Sequence, residues 1–172
     1  MGGPEVWEDT LPIRVQEGTP ETGELWRVFV TTGWNDEFHL SPAELSRAFE
    51  ASWFVAGAYA DARLVGVGRV VSDTVVHAMI YDLIVIPECQ GAGIGEQLLA
   101  RLVERCRSAG IRDIQLFCAK GKRRFYERRG FVARPEDAPG MEYVRRAGTP
   151  PRTGIRRTRG VGASRSGRGS RW

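Results

Sequence analysis

The chain has 172 residues, 42% hydrophobic and 27% charged, with a net charge of +4, a balance that suits one globular domain around a single core. It holds no apolar run of about 18 residues, which argues against a membrane span, and its acidic start, Met1 to Thr10, lacks the apolar stretch of a signal peptide. Cys89, Cys106 and Cys118 form no CxxC, and with two His they make no metal-ligand pattern, so a soluble chain in a reducing, cytoplasmic setting, without a metal, is expected.

Leu11 to Val15 reads as a short first strand. Pro20 to Thr31 has helical spacing through Leu25, Val28 and Phe29. Ser41-Pro-Ala-Glu44 is a helix start, with Ser41 as N-cap, Pro42 in the first turn and Glu44 closing a capping box; that helix runs to about Ala51. Trp53 to Ala60, Arg63 to Ser72 and Val75 to Ile86 read as three strands of an antiparallel meander, with turns at Asp61-Ala62 and Asp73. Gly95 to Ala109 is an amphipathic helix with Leu98, Leu99, Leu102, Val103 and Cys106 on one face and Gly110 ending it. A strand from Arg112 to Cys118, a short helix from Lys122 to Arg129 and a last hairpin from Phe131 to Ala133 and Met141 to Val144 complete the domain. The order makes the fold class α/β, in the sense of a mixed α+β sheet flanked by helices.

Charge is unevenly spread. Residues 1 to 100 carry five Arg against 15 acidic residues, residues 101 to 144 carry 11 basic and six acidic residues, and residues 145 to 172 carry nine Arg and no acid. A basic half suits a polyphosphate ligand and an acidic half a cationic one, although solvated surface charge is the plainer explanation. From Arg145 the composition turns to Arg, Gly, Ser, Thr and Pro without apolar periodicity. The expectation is a folded domain over 1–144 and a disordered Arg/Gly-rich tail over 145–172. Phosphate contacts from the tail to nucleic acid are an alternative function, with an uninvolved tail as the plainer one; the tail has no interleaved aromatic residue except Trp172, which argues against stacking on bases.

The segment richest in chemistry is Tyr81-Asp-Leu-Ile-Val-Ile-Pro-Glu-Cys-Gln-Gly-Ala-Gly-Ile-Gly95. An apolar strand stops at Pro87, and a loop with Gly91, Gly93 and Gly95 leads into a helix. Glycines allow positive φ and close approach of the backbone, and freed N–H groups at a helix N-terminus make an anion site. No Lys-Ser or Lys-Thr follows, so this is no Walker A loop; the GxGxG spacing after antiparallel strands does not suit a dinucleotide fold. A purely structural use of the glycines, letting a helix pack close to the sheet, is the alternative.

The sequence here resembles the GNAT superfamily of N-acetyltransferases. Gln90, Gly93 and Gly95 match its Q/R-x-x-G-x-G/A pattern, and Arg124-Phe-Tyr-Glu-Arg-Arg-Gly-Phe131 is similar to its F-Y-x-x-x-G-F segment, with Gln90 and Phe125 separated by a helix and a strand. The resemblance implies the acyl-CoA N-acyltransferase fold, with a mostly antiparallel central sheet, and acetyl-CoA as co-substrate. It implies that the backbone of Ile84 and Val85 pairs with the pantetheine arm. It also implies that the N–H groups of Gln90, Gly91, Ala92, Gly93, Ile94 and Gly95 hold the pyrophosphate. Arg101, Lys120 or Lys122 are candidates for the 3′-phosphate.

The resemblance further implies direct transfer to a primary amine of a small molecule or peptide. Tyr126 stands where the family keeps its general acid, and a phenol suits a thiolate whose pKa is about 8.5. Many relatives carry a Glu 11 positions ahead of the Gln, where this chain has Met79. Asp82 is therefore the candidate catalytic carboxylate, through a bulge that turns it to the site, with pairing to a backbone group or an Arg as its structural alternative; His77 is a further candidate. The aromatic residues Trp34, Phe38, Trp53, Phe54 and Tyr81 are candidates for an acceptor pocket. A homodimer is left open by the resemblance.

Overall fold

The computed structural model describes residues 12–141 and 143. Its elements follow in the order β1 (Ile13–Glu17), α1 (Thr22–Val30), α2 (Asn35–Phe38), α3 (Pro42–Glu50), β2 (Phe54–Ala60), β3 (Arg63–Ser72), β4 (His77–Val85), α4 (Ile94–Ser108), β5 (Asp113–Leu116) and α5 (Arg123–Glu127). All lie in one compact unit that ends at Glu142. The Arg/Gly-rich segment 145–172 lies outside the described residues, as does Leu11.

The five strands form one sheet in chain order. The first three pairings are antiparallel and the last, β4 with β5, is parallel. The sheet is thus mixed and mostly antiparallel, as the resemblance implies. Helices cover both faces. Side chains alternate along a strand, and β3 displays this: a Cβ at Gly68 would stand 2.7 Å from Leu102 of α4, while the next residue, Arg69, reaches the carbonyl of Ala48 in α3 at 3.1 Å. A side chain at 68 would therefore force Leu102 to shift where α4 seats on the sheet. The core between the layers includes Leu25, Phe29, Phe49, Leu64, Val67, Leu98 and Leu102, each 2% exposed or less.

Local chemistry sets the helix ends. Ser41 Oγ accepts from the Glu44 N–H while Glu44 Oε2 accepts from the Ser41 N–H, so the capping box forms as expected. Glu21 caps α1 by accepting from the N–H groups of Gly23 and Glu24. Glu24 Oε2 then accepts the Leu64 N–H at 2.8 Å, and Arg27 Nη2 donates to the Leu64 carbonyl at 2.6 Å. These bonds satisfy both main-chain groups of Leu64 beside a bulge in the β2–β3 ladder. The hydrogen bond from Arg27 also holds the Glu24 carboxyl below its usual range.

Several expected boundaries shift. The first strand starts at Ile13, after Pro12, which has no N–H to give the ladder. The third meander strand starts at His77, because the Asp73 carboxylate accepts from the N–H groups of Val75, Val76 and His77 and so holds them in a turn. The four-residue α2 is too short to leave a periodic signal. The last hairpin is corrected: Phe131 to Ala133 and Met141 lie in no strand, and Glu142 and Val144 lie outside the described residues. Pro135 and Pro139 interrupt the segment, and Arg134 Nε closes a turn on the Ala138 carbonyl at 3.0 Å.

The feature that matters most for a site is a break in β4. Asp82 has φ +50°, and the pairing with β3 slips there, so that Arg69 faces Tyr81 but Val67 faces Ile84. β5 pairs with β4 only from His77 to Ile80. Beyond that point the two parallel strands part, and the β5-facing side of Tyr81 to Val85 has no strand partner among the described residues.

Candidate active site

The gap between the strands leads to the glycine loop. Pro87 opens a single tight turn, Pro87–Cys89, in which the Cys89 N–H donates to the Ile86 carbonyl at 3.0 Å and the Gln90 N–H to that of Pro87 at 3.2 Å. The Gln90 side chain turns back, and its Nε2 donates to the Val85 carbonyl at 3.0 Å. This bond fastens the loop to the end of β4. Gly91 and Gly93 have φ of +90° and +79°, and a Cβ at either would meet nothing within 4 Å. Packing therefore does not explain glycine at these two positions, whereas the left-handed backbone does. Gly95 differs: a Cβ there would make ordinary contacts at 3.6 Å with Phe125 and Val85.

Gly93 is the N-cap of α4, and no side chain caps that helix. The N–H groups of Gly91, Ala92, Gly93, Ile94 and Gly95 have no acceptor among the described residues. Five consecutive donors thus meet the positive end of a 15-residue helix dipole. Gly91, Gly93 and Gly95 line a cavity of about 480 Å³ shared with Leu83, Ile84 and Val85 from β4 and with Lys122, Phe125, Tyr126, Arg128 and Arg129 from α5 and its flanks. Thr31, Thr32 and Trp34, from the end of α1, close a third side. The volume falls in the usual range for ligand pockets.

Tyr126 is half-buried on α5, with its ring edge-to-face against Phe125 at 5.0 Å and Phe131 at 6.0 Å. Burial pushes its phenol above the ordinary 10.0, and the neighbouring Cys118 adds to the shift. The hydroxyl is therefore held protonated. Tyr126 also borders a second, larger hollow of about 1020 Å³, onto which Met79, Ile114 and Phe131 open. Met79 offers no proton acceptor there.

The other sequence candidates divide. Asp82 sits on the bulge, where its Oδ2 takes the Arg69 Nε at 2.5 Å, and it is not part of the cavity wall. Arg69 also donates to Ala48 O and Ser52 Oγ, so this ion pair ties the bulge to the end of α3. His77 lies at the opposite end of β4 from Val85, roughly 25 Å away at strand rise, paired with Asp113 at 2.9 Å. Trp34 lines the cavity, Phe54 is a core residue, and Trp53 is covered by Arg105 at 4.9 Å. Tyr81 packs beside Arg69, and Phe38 is 47% exposed. Of the three basic candidates, Lys122 borders the cavity, whereas Arg101 is drawn to Glu17. Thr31, Thr32, Arg128 and Arg129 border it too, without any signal in the sequence that would have singled them out.

Residues 13–131 match the model of the Acetyltransferase (GNAT) family. The chain belongs to that family. It is 33% identical over 129 residues, 73% of its length, to serotonin N-acetyltransferase 2, chloroplastic, of Oryza sativa subsp. japonica, of which the match covers 63%. It is 35% identical over 82 residues to the N-acetyltransferase ycf52 of Pyropia yezoensis, covering 48% of this chain and 47% of that one. The matched stretch spans less than two thirds of either relative. Among solved structures, a probable acetyltransferase from Staphylococcus aureus superposes with a TM-score of 0.66 at 19% identity, covering 78% of this chain and 99% of the other. A GNAT family protein from Streptococcus pneumoniae gives 0.65 at 23% identity with the same coverage. Both show the GNAT fold. No helix among the described residues is long and apolar enough to cross a membrane. No cluster of His, Cys, Asp and Glu among them has the makings of a metal site.

Proposed function

We propose that this GNAT protein moves an acetyl group from acetyl-CoA to a primary amine of a small molecule or peptide. The observation that carries the reading is the run of N–H groups from Gly91 to Gly95 with no acceptor among the described residues, whose three glycines line one cavity with the open edge of β4 and with Tyr126. Such a donor set suits a diphosphate, which needs hydrogen bonds without a dedicated cation. Ile84 and Val85 are the main-chain groups that would carry the pantetheine arm as an added strand. Lys122 and Arg128, which border the same cavity, are the candidates for the 3′-phosphate.

In this reading the neutral amine attacks the thioester carbonyl, the C–S bond breaks, and the departing sulfur takes the proton of the Tyr126 hydroxyl. The new amide nitrogen gives up its extra proton to solvent, and solvent reprotonates Tyr126. Asp82, which Arg69 holds at Oδ2 and which is not part of the cavity wall, would take the proton of the incoming ammonium through water. Trp34, Thr31 and Thr32 border the acceptor. The three free cysteines suit a reducing compartment such as the cytoplasm.

The test is thiol release from acetyl-CoA across a panel of primary amines, beside calorimetric binding of CoA. The expected result is micromolar CoA binding and amine-dependent release with at least one panel member. Binding without release from any amine identifies an acyl-CoA-binding module instead, a reading that Met79 at the usual Glu position favours.

A further inference from the structure

Arg129 lies two residues past α5 and its side chain is only 19% exposed. Its guanidinium makes three contacts in two elements. Nη1 donates to the Phe125 carbonyl at 2.8 Å, Nη2 donates to Glu96 Oε2 at 2.5 Å, and Cζ stands 4.1 Å from the centre of the Phe125 ring. Glu96 belongs to the first turn of α4 and directly follows the glycine loop. Phe125 in turn lies against Gly95 and carries Tyr126 edge-to-face at 5.0 Å. A continuous chain of contacts thus joins the loop to the phenol, and Arg129 is its middle member.

One further observation separates this residue from a surface ion pair. Arg129 Nε is buried and has no hydrogen-bond partner among the described residues. A buried donor left unpaired works against folding, and an aliphatic side chain would fill the same space without that cost. The guanidinium is kept where its planar fork bridges a main-chain carbonyl and a carboxylate while stacking on a ring, a combination that Lys cannot reproduce.

We infer that Arg129 is a positioning residue that fixes the Tyr126 hydroxyl relative to the glycine loop, and so to the leaving sulfur. The inference rests on Tyr126 as the proton donor. The thioester is gripped at its nucleotide end by the loop, so the distance from phenol to sulfur depends on how α5 is held against α4. Misplacement of a catalytic group by about 1 Å costs on the order of a hundredfold in rate.

The experiment compares Arg129→Met, Arg129→Lys and Tyr126→Phe, and the Arg129→Met/Tyr126→Phe double variant, in steady-state thiol release and CoA titration. Both Arg129 variants are expected to lower kcat about tenfold or more, with KM for acetyl-CoA within about threefold of wild type. The double variant is expected to be no slower than Tyr126→Phe alone by more than about twofold, because the two residues act through one proton transfer. Arg129→Lys keeps the charge and serves as the readout should Arg129→Met fail to fold. An unchanged kcat in either folded variant overturns the inference. So do losses that multiply in the double variant, and so does a raised KM with kcat intact, which would make Arg129 a direct cofactor contact. Wild-type protein that releases no thiol, or Tyr126→Phe at full rate, would instead remove the underlying functional reading.

Discussion

Tyr126→Phe is expected to lower kcat about a hundredfold while leaving CoA affinity within about threefold of wild type. General acid catalysis by a placed side chain contributes about 10² to 10⁴ in rate. The phenyl ring keeps the edge-to-face contacts with Phe125 and Phe131, so fold and pocket shape persist. The pH dependence makes the assignment sharper. Burial raises the phenol above 10.0, with Cys118 contributing next. The neutral form is therefore the one the folded protein favours. Its contribution to stability is fully present below the ordinary tyrosine value and is lost as pH rises through the higher folded value. In activity, the alkaline limb of kcat is expected above about pH 10, and it should disappear in Tyr126→Phe. A full-rate Tyr126→Phe with an unchanged pH profile would assign the proton to another donor.

The second large effect is expected at Gly93. Its φ of +79° is a conformation that costs an L-residue about 1–2 kcal/mol, and a β-branched one more. In Gly93→Val the loop must relax toward negative φ, which turns the neighbouring N–H groups away from a common point. CoA affinity is expected to fall about 10- to 100-fold, and kcat/KM for acetyl-CoA with it. Nothing packs within 4 Å of the new Cβ, so the fold itself should survive. Gly95→Ala is the control. Its Cβ would make ordinary contacts at 3.6 Å, so CoA binding should stay close to wild type. Equal losses at the two positions, read by calorimetric titration, would mean that packing rather than backbone geometry dictates the glycines.

The parts of this architecture that were legible in the sequence are those written in local chemistry. The periodicity of Leu98, Leu99, Leu102 and Cys106 announces α4, the Ser41 and Glu44 pair announces α3, and the turns at Asp61 and Asp73 announce the meander. The glycine loop and Tyr126 were legible because each sits in a short contiguous motif. What was hidden depends on partners that folding brings together. Arg129 meets Glu96 across 33 positions, and Arg69 meets Asp82 across 13. A bulge at Asp82 is required for its expected role, but whether it forms is a relation between β3 and β4 that no window on β4 alone contains. The expected last hairpin does not form: Pro135 and Pro139 break the segment, and no described strand pairs with the outer edge of β5.

The central claim is that the main-chain hydrogens of the glycine loop bind CoA. Amide hydrogen exchange, measured residue by residue with and without CoA, tests it directly. Gly91, Ala92, Gly93, Ile94 and Gly95 have no acceptor among the described residues, so they should exchange fast in the free protein. Saturating CoA is expected to slow them about tenfold or more, together with Val85, whose main chain faces the open edge of β4. Exchange from Gly91 to Gly95 that stays fast while CoA is bound would contradict the account.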